Sequence, residues 1–348
     1  MTVSRMFCRA LALTAAAVLA AVTVPASISA TPNERKTPVF DLTELSVGTR
    51  FRLVENSDEI VTNEHVQYRF SLAGRFNLDG DGDHSIFFRL TTGAVFGNTW
   101  NNTGLSFNGS QDGQLDMAIR HLDYTVRIMP WLSLSAGSLE FDKGESSVIT
   151  HFTQEGYFMG AKVRLMRPDL VWFDQMSLSV GYLGGLNDAS VFDRLNQIGS
   201  FNYVQILIAK ELGRVRLSAD VTKWGETVLL HQAGTVRVAE AVVLDKVHIE
   251  TYQRLTTAPD FGYALWGEKS IGKLAINVGY ANIDPLFVLN DGKYGIGQRV
   301  FGGVSYDITQ ELSVRAYYTH AFNNDFKVGN AERFDLAVVY NFMPLIHK

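Results

Sequence analysis

Hydrophobic and polar residues alternate along most of this chain, and the last alternating segment, 333–342, shows the pattern well. One face of that segment carries only apolar side chains: Phe334, Leu336, Val338, Tyr340 and Phe342. The other face is mixed and includes Arg333, Asp335 and Asn341. Because successive side chains of a strand point to opposite faces, this segment predicts a β-strand with one face in an apolar environment.

About sixteen segments with the same period of two follow one another from Leu45 to Phe342. The predicted strands cover 45–53, 66–76, 86–91, 115–129, 132–141, 157–166, 175–185, 201–212, 214–225, 235–243, 247–256, 259–268, 274–284, 299–308, 312–322 and 333–342. Most are close to the roughly 9–11 residues that a tilted strand needs to cross a bilayer. The segment 115–129 keeps its alternation only with a phase slip near His121 and Leu122, which predicts a β-bulge. No segment has the period of a helix.

The gaps between the predicted strands are alternately long and short. The long gaps are 56–65, 97–114, 142–156, 186–200, 226–234, 285–298 and 323–332, and the short ones include 79–84, 130–131, 213, 244–246, 269–273 and 309–311. Outer-membrane barrels have short periplasmic turns and long extracellular loops, whereas a soluble sandwich has no reason to collect its long loops at one end. In lipid, only a closed sheet pairs every strand edge. The pattern therefore predicts an all-β fold, a transmembrane antiparallel β-barrel of about 16 strands.

The first residues have the features of a secretory signal. Arg5 and Arg9 precede an apolar run, and small residues lead up to Ala30. The segment that follows contains Pro32 and Pro38 and is expected to be flexible. The predicted organisation is a signal peptide at 1–30, a flexible N-terminal lead-in at 31–43, the transmembrane barrel at 44–342 and a C-terminal extension at 343–348.

Charge and cysteine content exclude several classes of site. Cys8 is the only cysteine and lies in the predicted signal peptide, so the mature chain is expected to contain neither disulfides nor thiolate metal sites. Removing Arg5 and Arg9 takes the formal net charge from −5 to −7, which argues against a nucleic-acid partner. The histidines lack metal-ligand spacing such as HExxH, and no GxSxG elbow is present. We therefore predict no cofactor, no metal site and no enzymatic activity.

In size, strand number and alternation of gaps, the mature chain resembles the bacterial outer-membrane β-barrels of the general porin type. The most specific point is Phe342, which is in phase with Tyr340, because such barrels carry a terminal aromatic residue as an assembly signal. Here residues 343–348 follow it, and the loop 142–156 lacks the glycine-rich acidic motif of general porins, so no subfamily is identified. The resemblance implies the outer membrane of a Gram-negative bacterium, with outer-membrane lipid and the barrel-insertion machinery as partners. It is compatible with a homotrimer.

Arginines recur on the non-lipid phase of the predicted strands and form a predicted basic pore wall. They are Arg50, Arg52, Arg69, Arg75, Arg89, Arg120, Arg127, Arg164, Arg216, Arg237, Arg254, Arg299, Arg315 and Arg333. A water-filled lumen tolerates charge, whereas a basic residue at the lipid-facing midplane costs about 2–4 kcal/mol. Two interpretations stay open: a wall that favours anionic solutes, and solvation of the lumen without marked selectivity.

A barrel of about sixteen strands leaves an aqueous channel. The predicted function is therefore a porin that allows passive diffusion of small hydrophilic solutes, with an anion preference. The loop 142–156 is expected to fold inward and narrow the channel, with Asp142, Glu145 and Glu155 facing the basic wall. Opposed charges would then set up a transverse field across the passage.

Two alternatives remain. A substrate-specific channel for sugars or anionic metabolites is one, because the inward aromatic residues Trp266, Phe301 and Tyr317 are available to stack on sugar rings. A structural or adhesive barrel without transport activity is the other. Conductance in planar bilayers separates these hypotheses.

Overall fold

The computed structural model of the protein describes residues 37–55, 61–106, 112–147, 156–167, 172–183, 188–195, 198–199, 201–238, 243–256, 260–283, 297–322 and 332–346. The strands are β1 Phe40–Glu55, β2 Val61–Asn77, β3 His84–Thr92, β4 Asn101–Ser106, β5 Met117–Met129, β6 Leu132–Glu140, β7 Tyr157–Met166, β8 Gln175–Tyr182, β9 Tyr203–Leu212, β10 Val215–Trp224, β11 Thr227–Arg237, β12 Lys246–Arg254, β13 Asp260–Ile271, β14 Leu274–Ile283, β15 Gly297–Asp307, β16 Leu312–Ala321 and β17 Glu332–Asn341. Two short helices, α1 Val191–Leu195 and α2 Met343–Ile346, complete the described elements.

The sheet closes on itself through its first strand. Phe51 of β1 lies opposite Val66 of β2 on one side and opposite Leu336 of β17 on the other. The remaining pairs are antiparallel neighbours in chain order, except that β3 pairs with β5 and the short β4 pairs only with β2. The described chain is therefore a closed barrel of 16 antiparallel strands with β4 as an addition, which confirms the predicted fold class.

The strand ends that border most of the long intervals lie at one end of the barrel, here called the loop end; these intervals are 93–116, 141–156, 183–202, 284–296 and 322–331. The opposite end, the turn end, carries 130–131, 213–214, 272–273 and 308–311 together with the starts of β1 and α2. The gathering of long gaps at one end is thus confirmed. The exceptions at the loop end are the short connections 56–60, 225–226 and 255–259.

The predicted loop at 226–234 and the predicted strand at 235–243 are wrong, because one continuous strand, β11, occupies most of this region. Gly225, with a φ of 56°, allows a two-residue turn in place of a loop. The apolar alternation of β11 is masked because Gln232 stands on its outer face. There the Gln232 Oε1 accepts a hydrogen bond of 3.3 Å from Thr251 Oγ1 on β12, so the polar group is paired rather than exposed to solvent in a loop.

The barrel begins earlier than the predicted boundary at residue 44. β1 starts at Phe40, inside the segment 31–43 that the sequence predicts as a flexible lead-in. The cause is apolar packing, since the Phe40 and Phe76 rings lie 4.8 Å apart across the β1–β2 ladder. Residues 1–30, with the expected signal peptide, lie outside the described residues.

Two turns at the turn end share one geometry. Asp174 precedes β8, and its carboxylate accepts hydrogen bonds of 2.7 Å from Lys210 Nζ and 2.6 Å from a backbone amide of β9. Asp245 precedes β12 and accepts bonds of 2.7 Å from Lys269 Nζ and 2.7 Å from a backbone amide of β13. These hydrogen bonds from lysine hold the pKa of both carboxyl groups below the ordinary value. Each aspartate thus ties the start of its own strand, β8 or β12, to the end of the strand that follows it.

The wall strand after β2 is interrupted. Ser71 of β2 lies opposite Thr91 of β3, and Tyr68 of β2 lies opposite Asn101 of β4. From Thr91 to Asn101 the chain advances ten residues, whereas the opposing part of β2, from Ser71 to Tyr68, advances only three. The extra residues, 93–100, leave the wall and are here called the excursion. β4 then resumes the ladder with β2 in the same direction.

Thr92 closes the base of the excursion. Its hydroxyl donates a 2.6 Å hydrogen bond to the carbonyl of Thr99 and accepts a 3.2 Å bond from the amide of Phe70. Thr92, just before the excursion, and Thr99, near its end, are thereby held next to β2. The chain therefore leaves the wall and rejoins it at the same place.

Candidate functional site

Strand registers and side-chain contacts place every arginine of the predicted basic wall on the inner side of the barrel: Arg50, Arg52, Arg69, Arg75, Arg89, Arg120, Arg127, Arg164, Arg216, Arg237, Arg254, Arg299, Arg315 and Arg333. Residues paired across an antiparallel ladder project to the same face. On β17, Ala337 is buried on the inner face, whereas Leu336 and Val338 are each 42% exposed on the outer face. Arg315 and Arg50 flank Ala337 in register, so all three face the lumen.

A dense cluster of arginines surrounds one carboxylate near the loop end. Arg52 Nε lies 2.9 Å from Asp335 Oδ1, Arg333 Nε lies 3.1 Å from Oδ2, and Arg50 Nη1 lies 3.6 Å from Oδ2. Three guanidinium groups against one carboxylate leave this part of the wall with a net positive charge. Trp100, at the end of the excursion, stacks on Arg50 with the guanidinium carbon 4.3 Å from the ring centroid.

A second set of charges lies closer to the turn end. Glu44 bridges two arginines, at 3.4 Å from Arg69 Nη2 and 3.3 Å from Arg89 Nε. Arg89 also forms an ion pair with Glu140 on β6. These side chains line the first cavity, which has a volume of about 420 Å³, and Lys143 faces them from the opposite side.

Arg120 differs from the other wall arginines because its side chain is only 1% exposed. Its guanidinium caps the excursion from inside by donating to four backbone carbonyls. Nη1 donates to Phe96 at 2.7 Å, and Nη2 donates to Gly93, Val95 and Asn98 at 3.2, 2.9 and 2.6 Å. The β5 bulge, predicted near His121 and Leu122, is seen as a register shift opposite Arg89 and Leu90 and lies at this position. The expectation of a solvent-facing wall charge at Arg120 is therefore corrected: the residue holds a loop.

Residues 141–147, the infolded loop, leave β6 at the loop end and run along the inside of the wall. The amide of Glu145 donates to Ser218 Oγ of β10 at 2.8 Å, and the amide of Ser147 donates to Glu250 Oε1 of β12 at 2.6 Å. Glu145 also accepts from Arg216 Nε at 3.0 Å. Residues 141–147 therefore lie inside the barrel against β10 and β12, and residues 148–155 of the predicted constriction loop lie outside the described residues.

The acidic groups of the infolded loop are paired with basic groups of the wall. Asp142 lies 3.0 Å from Lys162 Nζ and also forms an ion pair with Arg164. Burial acts to raise the pKa of the Asp142 carboxyl, but the two cations outweigh it and hold that pKa below the ordinary value. Asp142 and Glu145 therefore lie against basic side chains of the wall, whereas Glu155 lies outside the described residues.

An aromatic cluster fills the lumen between the loops on one side. Its buried aromatic members come from the excursion, the infolded loop and the first residues of β7 and β9: Phe96, Phe141, Tyr157, Phe158 and Tyr203. Val191 of α1 packs on this cluster, and the buried Arg194 of α1 lies between the rings of Phe96 and Tyr157, at 4.9 and 4.5 Å. The β5–β9 side of the loop end is therefore closed by packed side chains.

A second cavity of about 290 Å³ adjoins the first, because Glu44 and Arg69 line both. The second cavity is lined by residues of β1, β16, β17 and the excursion, among them Gly48, Trp100, Arg315, Ala337 and Val339.

Trp266 and Phe301, proposed above as stacking surfaces for sugars, are 9% and 5% exposed. A Cβ atom at Gly279 would lie 2.4 Å from Trp266 Cβ and 2.5 Å from Phe301 Cζ, so both side chains lie flat against the wall over this glycine. They are packed together with Tyr317 and are not offered to a solute. Trp100, which the sequence pattern places in a long external loop, lines the second cavity.

No group of three or more His, Cys, Asp or Glu side chains within the described ranges is arranged to hold a metal ion. Among the same residues, no helix is long and apolar enough to cross a membrane.

Comparison with family models and with curated proteins finds no match for this chain. Solved structures do match. A variant of the Rhodopseudomonas blastica porin is 13% identical, with a TM-score of 0.56, over 86% of this chain and 100% of that chain. OmpF of Salmonella typhi, in a complex with daunomycin, is 10% identical with a TM-score of 0.57, over 87% of this chain and 97% of its own. At these identities the likeness establishes the fold, and the chain adopts the sixteen-stranded barrel fold of the porins.

Proposed function

We propose that the protein is a porin-type channel of the bacterial outer membrane through which small hydrophilic solutes diffuse passively. The observation that carries this proposal is the pair of adjoining cavities, both lined by charged side chains, inside a closed barrel with an apolar outer face. The loop end is proposed to be extracellular and the turn end periplasmic, in keeping with the loop lengths. A channel accounts for the charged inner wall, because its arginines stand on many different strands and a water-filled lumen tolerates charge.

The proposed passage prefers anions. Asp335 is shared by three arginines and Asp142 by two cations, so these carboxylates are already neutralised by the wall. Arg315 makes no ion pair with any described residue and is exposed to the second cavity. Beyond about 8 Å, charges are screened at physiological salt, so groups lining the passage set its potential more than the net charge of the chain does.

The experiment that tests this function is the reversal potential across a planar bilayer that separates two KCl concentrations. We expect the wild-type channel to be weakly anion-selective and the double variant Arg69→Gln, Arg89→Gln to shift toward cations, because both side chains line the first cavity. The matched control is Lys223→Gln, which removes a positive charge from the outer face of β10 and should leave the potential unchanged.

The outcomes discriminate between the hypotheses. Absence of conductance in the wild type would favour the structural or adhesive barrel. A cation-selective wild type would mean that acidic groups outside the paired set control the passage. An equal shift in the control and in the double variant would remove the assignment of Arg69 and Arg89 to the selectivity region.

Assembly is proposed to use the C-terminal aromatic pair. Phe342 follows β17, its amide donates to the carbonyl of Leu45 at 2.9 Å, and its ring packs on Tyr340 at 4.7 Å. We expect truncation after Asn341 to lower the amount of folded barrel in the outer membrane, measured by heat-modifiable gel mobility of membrane fractions. Truncation after Phe342, which removes only 343–348, is the control. Equal amounts of the two truncated proteins would contradict the role of Phe342.

A further inference from the structure

We propose that the second cavity is a binding subsite for planar organic anions, such as a small aromatic carboxylate, held between Trp100 and Arg315. This inference rests on the proposed pore function and names the solute class for which one part of the pore is built. The cavity volume of about 290 Å³ is near the lower end of ligand pockets, which are about 300–1,000 Å³, and suits a solute with a single ring.

The floor of the subsite is made of small or short apolar residues. Ala337 and Val339 of β17 separate Arg315 on β16 from Gly48 on β1, and all four line the cavity. Neighbouring strands are about 4.8 Å apart, so β16 and β1 are about 10 Å apart. Because no long side chain stands on β17 between them, a ring has room to lie between the guanidinium and the indole.

Trp100 forms one side of the subsite and is held rigidly there. Its amide donates to Asn98 Oδ1 at 3.1 Å, and its carbonyl accepts from Asn98 Nδ2 at 3.0 Å. Arg50 stacks on the indole, and a Cβ atom at Gly48 would lie 3.2 Å from Trp100 Cη2, so the ring rests closely on β1. The part of the indole that lines the cavity is a preformed surface for an aromatic ring, which gains about 0.5–1.5 kcal/mol from stacking beyond simple burial.

Arg315 forms the other side and supplies the charge. Its side chain is exposed in the cavity, and a guanidinium binds a carboxylate through two parallel hydrogen bonds. Arg69 adds a second cation at the edge of the cavity, and the neighbouring Glu44 is shared by Arg69 and Arg89. The subsite therefore combines a positive potential with one aromatic surface, which selects for solutes that are both anionic and planar.

The test is single-channel recording with benzoate added to one side of the bilayer, compared with cyclohexanecarboxylate and with benzyl alcohol. Benzoate is expected to produce concentration-dependent current blocks. Cyclohexanecarboxylate keeps the charge but loses the stack, and benzyl alcohol keeps the ring but loses the charge, so both should block more weakly. From the stacking energy we expect Trp100→Leu to weaken benzoate block by roughly two- to tenfold.

Three further variants complete the design. Trp100→Phe should keep most of the block, because it retains an aromatic ring. Arg315→Gln should weaken the benzoate block while leaving the difference between a planar and a saturated ring partly intact. Arg237→Gln is the matched control, since Arg237 is an inward arginine at the turn end that pairs with Glu211 and does not line the second cavity.

Failure of the subsite and failure of the pore give different results. Normal conductance with equal block by benzoate and cyclohexanecarboxylate would overturn the subsite and leave the pore in place, as would block that Trp100→Leu does not weaken. A wild type without conductance would remove the proposed function itself. Folding of each variant is checked by heat-modifiable gel mobility. If Trp100→Leu does not fold, the current block by benzoate is compared between the wild type and Trp100→Phe instead.

Discussion

Replacing Arg120 with methionine is expected to destabilise the barrel and to increase both the conductance and the current noise of the channel. The guanidinium of Arg120 donates to the carbonyls of Gly93, Val95, Phe96 and Asn98. Methionine fills a similar volume but leaves these carbonyls without a donor, and each buried unpaired polar group costs about 1–3 kcal/mol. The excursion can satisfy its carbonyls with water only by leaving the inner wall, so the passage should widen and fluctuate.

The measurement combines single-channel conductance with the temperature at which the folded band on a gel converts to the unfolded one. The control is Arg127→Met on the same strand, because Arg127 is half exposed and its ion pair with Asp83, at 3.8 Å, lies at the turn end. We expect the control to change stability by no more than about 1 kcal/mol, the usual limit for an exposed pair. Equal behaviour of the two variants would show that Arg120 does not hold the excursion.

Gly144→Ala is expected to lower the conductance. Gly144 has a φ of 57°, and a Cβ atom there would lie 2.5 Å from the Cβ of Ser218 on β10, which no real side-chain contact allows. The infolded loop would have to move away from the wall toward the first cavity, which Gly144 itself lines. The hydrogen bond from Glu145 to Ser218 would be lost by the same movement, whereas the ion pairs of Asp142 would keep the loop inside the lumen.

Gly213→Ala is the matched control for this variant. Gly213 also has a left-handed backbone, with a φ of 63°, but a Cβ atom there meets nothing within 4 Å. Both variants carry the backbone strain of an alanine in the left-handed region, about 1–2 kcal/mol, and only Gly144→Ala adds a collision in the lumen. Single-channel conductance that falls in Gly144→Ala alone supports the assigned position of the infolded loop. Unchanged or higher conductance in Gly144→Ala would contradict it.

Alternation predicts the wall of this barrel well where the outer face is uniformly apolar. The predicted strand 333–342 matches β17 within a residue, because Leu336 and Val338 are exposed on the outer face, whereas Arg333, Asp335 and Ala337 are buried on the inner face. Prediction fails at β11, where Gln232 on the outer face is paired with Thr251 of the adjacent strand. A single sequence does not reveal such a cross-strand bond, since the two residues are far apart along the chain.

The interior is less predictable than the wall, because inward polarity has more than one cause. Arg120 and Arg69 occupy the same phase in sequence, yet one caps a loop and the other lines a cavity. The only sequence signal for the difference is the phase slip beside Arg120. Trp100 lies in a segment without alternation, so nothing in the sequence distinguishes an aromatic residue turned into the lumen from one exposed outside.

Because of the interruption between β3 and β4, the residues that line part of the barrel interior are not the residues that form its wall. β4 resumes pairing with β2 beside the point where β3 stops, and Thr92 ties the two ends of the excursion together. Because both ends of residues 93–100 are held at β2, we expect changes of length or side chain within this excursion to leave the number, order and register of the strands unchanged. Such changes would alter the lining of the second cavity, to which Trp100 contributes.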